Sequence, residues 1–260
     1  MVRAELMPEA VRREMAAQDE HFAGLPDKAV FKPERHPRYQ RRRLEQHLAE
    51  LLAALGRGLP GGESVHVACC GTGYEAEALL RAGYQVSASD LSVQALAGLA
   101  KRAAVRGYRV PYLQADVLHL PFAPDSFNLA VVVEGLHHTP DPAAGFAELV
   151  RVARRRVAIV EPYTGAVFNL LGGLRLAHRH EYGGLAPTRL TGALVRQLRG
   201  LVGGEMSRRL YLDLPPGPGV DWLGDLPGVA PVLYRLAGGL ECVLSLVGVG
   251  NKVALVAEVG

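Results

Sequence analysis

Hydrophobic and polar positions change period in a regular way along the chain. Short apolar runs at about 64–70, 85–90, 111–115, 127–134 and 155–161 are bounded by glycine, proline or charge and read as buried strands. Between them, about 74–82, 92–106 and 142–151 repeat their apolar residues every three or four positions, the helical period. Ser92, just past the second run, is placed to cap the helix that follows. Alternating strands and helices imply parallel strands with helices on both faces, a doubly wound α/β sheet. Ahead of it, Arg41 to Leu55 sets Leu44, Leu48, Leu51, Leu52 and Leu55 at helical spacing, so one face should pack on the core until Leu59-Pro60-Gly61-Gly62 ends the helix. Residues 1–60 therefore read as an N-terminal helical cap and 61–260 as the main domain. After Glu161-Pro162-Tyr163 the pattern breaks. Val167 to Leu174 is apolar but interrupted by glycine, and Arg175 to Glu181 is charged, which predicts a lid insert at about 163–187 on the carboxyl edge of the sheet. From Thr188 a helix with Leu190, Leu194, Leu198 and Leu201 on one face returns to the core.

Two segments carry chemistry. Val65-His66-Val67-Ala68-Cys69-Cys70-Gly71-Thr72-Gly73 is a strand entering a glycine turn, and Gln85 to Asp90 is a strand ending on a lone carboxylate. Glycine removes Cβ atoms where the backbone must turn sharply against a ligand. Asp90 lies seventeen residues beyond Gly73, where a βαβ unit brings its second strand beside the first, and a carboxylate there can accept both hydroxyls of a ribose. This is a nucleoside-cofactor site. Gly71-Thr72-Gly73-Tyr74-Glu75-Ala76 also fits the dinucleotide pattern, so the glycines leave a nicotinamide cofactor open. Further on, Tyr112-Leu113-Gln114-Ala115-Asp116-Val117 ends a third strand on another acid. Leu120-Pro121-Phe122 and Asp125 to Glu134 then make a turn and a long buried strand, which exits through Gly135-Leu136-His137-His138-Thr139-Pro140-Asp141-Pro142.

In this ordered set, over roughly residues 64–161, the chain resembles the class I S-adenosylmethionine-dependent methyltransferases, in particular the broad small-molecule group. The resemblance implies a Rossmann-like methyltransferase sheet closed by an antiparallel hairpin, which Arg208 to Leu214 and Lys252 to Val259 can supply. It implies S-adenosylmethionine as cofactor and S-adenosylhomocysteine as product. The binding set carried over is Cys70, Gly71, Gly73 and Tyr74 in the glycine turn under the methionine, Asp90 and Leu91 at the ribose, and Asp116 and Val117 at the adenine. Two positions depart from the family: Val67 stands where an acid helps to hold the methionine ammonium, and Cys69 where glycine is usual. The first leaves the ammonium to backbone carbonyls or another acid, with Glu134 the candidate. The second adds a small side chain that tightens the turn.

The methyl of S-adenosylmethionine is already activated, so the protein must align acceptor and donor, exclude water and, for many acceptors, remove a proton. Candidate bases at the ends of strands four and five are His137 and His138, with His178 and His180 on the insert. Tyr163 and Glu161 flank the turn leaving strand five and are candidates for a polar role facing the acceptor. The competing reading for His138 is packing and hydrogen bonding at a strand end, and His66 and His119 read as structural. No histidine–carboxylate cluster has metal spacing, so no metal is expected. The apolar insert suits a small hydrophobic or aromatic acceptor of the kind modified in natural-product biosynthesis, most readily at oxygen; the same residues could instead pack on the core. Two further classes stay open: a nicotinamide-dependent oxidoreductase, against which Asp116 argues, and a non-transferring relative, which Val67 and Cys69 suggest.

Composition narrows the partners. At 260 residues the chain can bury a full α/β core. Its net charge of +3 comes without a long basic run interleaved with aromatics, so no nucleic-acid partner is expected. Lys32 to Arg43 reads as a solvated helix face, or else closes over the cofactor. Three cysteines make no disulfide framework, the charged N-terminus lacks a signal-peptide core, and the most apolar stretch, near Val229 to Val249, is interrupted by Arg235 and Glu241. A cytoplasmic protein without a membrane span is expected.

Overall fold

The computed structural model describes residues 7–24, 38–57, 59, 61–164, 189–211 and 250–260, with a few separate positions between 232 and 243. In chain order the elements are α1 (Glu9–Gly24), α2 (Arg38–Leu55), β1 (Ser64–Val67), α3 (Tyr74–Arg81), β2 (Gln85–Asp90), α4 (Val93–Arg106), β3 (Tyr112–Gln114), β4 (Phe127–Val133), α5 (Pro142–Val152), β5 (Ala153–Pro162), α6 (Gly192–Arg199), β6 (Met206–Tyr211) and β7 (Lys252–Glu258). A single 3-10 turn, Leu136–His138, follows β4. The sheet runs β3-β2-β1-β4-β5-β7-β6. Its first five strands are parallel, and β7 lies antiparallel between β5 and β6.

The central strands are apolar on both faces because both faces are covered. Val131 and Val65 turn to one side with Leu51, Leu55, Leu79 and Leu99 from α2, α3 and α4. Val132 and Ile159 turn to the other with Phe146, Leu149 and Leu198 from α5 and α6. The doubly wound sheet is as the pattern predicts, and the late antiparallel pair as the resemblance implies. Ser92 caps α4, accepting from the Ala95 N–H at 3.0 Å.

Three boundaries move, each for a local reason. β1 stops at Val67 rather than continuing to residue 70, because Cys69 takes a positive φ of 50° that no strand can hold. β5 starts at Ala153, directly from the end of α5. The last described helix starts at Gly192, not Thr188. Leu190 is bridged to Tyr163, with its N–H on the Pro162 carbonyl at 2.9 Å, and Thr191 supplies the cap. All but the first two residues of the lid expected at about 163–187 lie outside the described residues, as do His178 and His180. No described helix is long and apolar enough to cross a membrane.

Candidate functional site

The glycine turn leaves β1 at the carboxyl edge of the sheet. Gly71 and Gly73 both have positive φ, and a Cβ on Gly73 would fall 2.1 Å from Leu99 Cδ1 of α4, so only glycine closes this turn. Arg102, fully buried on α4, donates from Nε to the Thr72 carbonyl at 2.9 Å and from Nη1 to Glu77 at 2.8 Å. It thereby ties the turn to the first turns of α3.

Asp90 closes β2 beside that turn. One carboxylate oxygen accepts from the Gly71 N–H at 2.8 Å and the other from the Ser92 N–H at 2.9 Å. Burial pushes its pKa up from the usual 3.8 to about 6, against those backbone hydrogen bonds and with the Asp19 charge adding to the rise. The Leu91 N–H adds a further backbone contact, and the four lone pairs of a carboxylate exceed these donors. Leu91 follows, its carbonyl accepting from Gln114 Nε2 at 3.1 Å. At the end of β3, Asp116 spends Oδ1 on the Leu118 N–H at 2.9 Å, which shapes the next turn, while Val117 is buried. Its Oδ2 lies 3.8 Å from His119 Nδ1.

The exit of β4 closes on the same turn. A Cβ on Gly135 would lie 2.3 Å from Cys69 Cβ, so the side chain that Cys69 adds occupies the space that Gly135 leaves. Cys69 and Cys70 pack toward opposite sides of the sheet, and burial raises both thiol pKa values. Glu134, with φ 53°, is half-exposed, and its Oε1 is 2.5 Å from Lys252 Nζ of β7. Val67 is core. Any ammonium that Glu134 receives must share it with Lys252.

The adjacent histidines part company here. Glu161, fully buried on β5, accepts from the backbone N–H groups of Gly135 and Leu136 at 3.0 and 2.8 Å and pairs with His137 Nδ1 at 2.6 Å. Glu161 and His137 are thus a bracket for the turn, with His137 3% exposed. Tyr163 is likewise buried in the α5–α6 core. The carboxyl ends of β4 and β5 fold these side chains inward. His138 keeps a fifth of its side chain accessible, and its Nδ1 lies 3.2 Å from Glu14 Oε1 of α1.

α1 falls within the expected helical cap, but its place over the glycine turn was not legible in the hydrophobic pattern. Val11, Glu14 and Phe22 lie on its inner side, Met7 is buried just ahead of it, and Phe22 comes within 3.7 Å of a Cβ position at Gly71. Asp19 accepts from the Ser92 hydroxyl at 2.5 Å, and Met15 sulfur accepts from Gln114 at 3.9 Å. The helix therefore lies over the glycine turn and the ends of β2 and β3. The available signal was a carboxylate, Glu14, three residues after Val11 on an otherwise apolar stripe.

Residues 66–160 match the family model described as a methyltransferase domain. A demethylmenaquinone methyltransferase from Clavibacter sepedonicus is 33% identical over 102 residues, 38% of this chain and 41% of that protein. One from Thermobifida fusca is 35% identical over 94 residues, 36% of this chain and 40% of that protein. The chain thus spans about two fifths of the length of these curated relatives. Among solved structures, magnesium protoporphyrin IX methyltransferase from Synechocystis, with bound S-adenosylmethionine, superposes with a TM-score of 0.62 at 15% identity, over 98% of this chain and 99% of that one.

Proposed function

From a chain that carries a class I S-adenosylmethionine-dependent methyltransferase domain, we propose that it moves a methyl group from S-adenosylmethionine to a small hydrophobic or aromatic acceptor, at oxygen. The cofactor supplies a methyl on a positively charged sulfur, ready for displacement. The observation that carries the reading is Asp90: a buried carboxylate pinned between the glycine turn and the N-terminus of α4. An acceptor held there fits a ribose diol. Asp116, through Oδ2, is the candidate for the adenine amino group, and Glu134 for the ammonium. His138 is the candidate base, since it retains accessible ring atoms on the edge where the turn and β4 meet. The names of the demethylmenaquinone relatives support a ring-bearing apolar acceptor.

Methyl-labelled S-adenosylmethionine incubated with a panel of hydrophobic phenols, quinols and amines tests this. Label should appear in an ether, with S-adenosylhomocysteine formed in equal amount. Tight cofactor binding with no transfer to any phenol or quinol would overturn the O-methylation reading.

A further inference from the structure

Glu14 is an odd residue for its place. It is 3% exposed, on the α1 face that also buries Met7 and Val11, where an apolar side chain would pack without desolvating a charge. Its Oε1 accepts from Gln18 Nε2 at 2.7 Å and lies 3.2 Å from His138 Nδ1. That nitrogen is buried and makes no hydrogen bond in this ring orientation, although the carboxylate oxygen is within reach, so the ring must turn to pair with it. With Nδ1 covered, the accessible fifth of His138 belongs to its other ring atoms. His137 offers no substitute, since Glu161 holds it; its ring stands 4.1 Å from that of His138.

We propose that Glu14 is a positioning residue for the transfer: from α1 it accepts the His138 Nδ1–H, fixing the tautomer whose Nε2 takes the acceptor's hydroxyl proton. The inference rests on the O-methylation reading above. As the acceptor oxygen bonds to the methyl carbon, the carbon–sulfur bond breaks and its electron pair stays on sulfur. The hydroxyl proton passes to Nε2 and then to water, and Glu14 faces the imidazolium that forms. Because the carboxylate arrives on α1, which also covers the glycine turn, the base is complete only when that helix is docked.

The imidazole of His138 in the full chain, followed by NMR titration with S-adenosylhomocysteine present, reads the pair without turnover. The groups facing it are Glu14 from α1, His137 on its own turn and, behind His137, Glu161 of β5. Glu14→Gln keeps shape and should depopulate the Nδ1–H tautomer, read from the ring nitrogen shifts. On 2-naphthol, which is un-ionised at assay pH, Glu14→Gln should lower kcat by roughly 10- to 100-fold, part of a general base's usual contribution. On a nitrophenol already ionised at that pH it should leave kcat nearly unchanged, and Glu14→Asp should recover part of the loss. His138→Gln should show the same acceptor dependence, with little further loss in the double variant. An unchanged His138 tautomer, or equal losses on both phenols, overturns the assignment. A wild-type protein that methylates neither phenol counts against the O-methylation reading, while the tautomer still decides the pair.

Discussion

Between about pH 4 and 6.5, two buried groups should pull the stability of this protein in opposite directions and mask one another. His66 on β1 is fully buried, its ring 4.7 and 4.9 Å from those of Phe122 and Phe127, with its nitrogens on Ser87 and Ser89. Burial holds its pKa down to about 4 from 6.5. The unfolded chain takes this proton first, so the contribution is present above 6.5 and is lost as pH falls toward 4. Asp90 has the opposite sign. Its folded pKa, pushed up to about 6 by burial, means the folded protein takes the proton first. Its contribution is fully present below the unfolded value near 3.9 and is lost as pH rises through 6. At about 1.4 kcal/mol per pH unit, each is worth about 3 kcal/mol, and near pH 5 the slopes cancel. Asp90→Asn removes one of them. Its single carbonyl oxygen serves only one of the Gly71 and Ser92 N–H groups, a pH-independent loss of about 1–3 kcal/mol that removal of the buried charge offsets near neutrality. Urea denaturation of the cofactor-free protein at half-unit pH steps reads the difference. The variant should lose about 3 kcal/mol more than the wild type between pH 6.5 and 4, a melting difference of roughly 5–10 °C. Other carboxylates act equally on both proteins. Parallel pH profiles would refute the reasoning, because the burial of Asp90 would then not be raising its pKa.

Two other substitutions test contacts that the tertiary structure makes. Gly135→Ala should cost about 1–3 kcal/mol by overpacking against Cys69, and Cys69→Gly in the same chain should restore most of it. Strict additivity of the two changes in chemical denaturation would rule that contact out. If Glu134 receives the methionine ammonium, Lys252→Met should tighten S-adenosylmethionine up to about fivefold at low salt, the modest amount expected of a half-exposed pair. Calorimetry showing no change in Lys252→Met and none in Glu134→Gln would exclude Glu134 from the ammonium contact.

The alternation of short apolar runs with helical periods was enough to establish the doubly wound sheet, and Gly71, Gly73, Asp90 and Asp116 marked its carboxyl edge. These features are local: a strand's period, a turn that no Cβ tolerates, an acid closing a strand. Each is written within a few residues of where it acts. What depends on opposing partners was decided only by the tertiary structure. His137 and His138 are identical neighbours in the chain, yet one is sealed by Glu161 from β5 and the other faces Glu14 from α1. Cys69, a departure from the family glycine, is accommodated because Gly135 arrives opposite it from another strand. Glu134 stands beside Lys252 only because β7 threads between β5 and β6. Burial and pairing set whether a titratable side chain packs, positions or accepts a proton, and both are fixed by residues that meet only when the chain has folded.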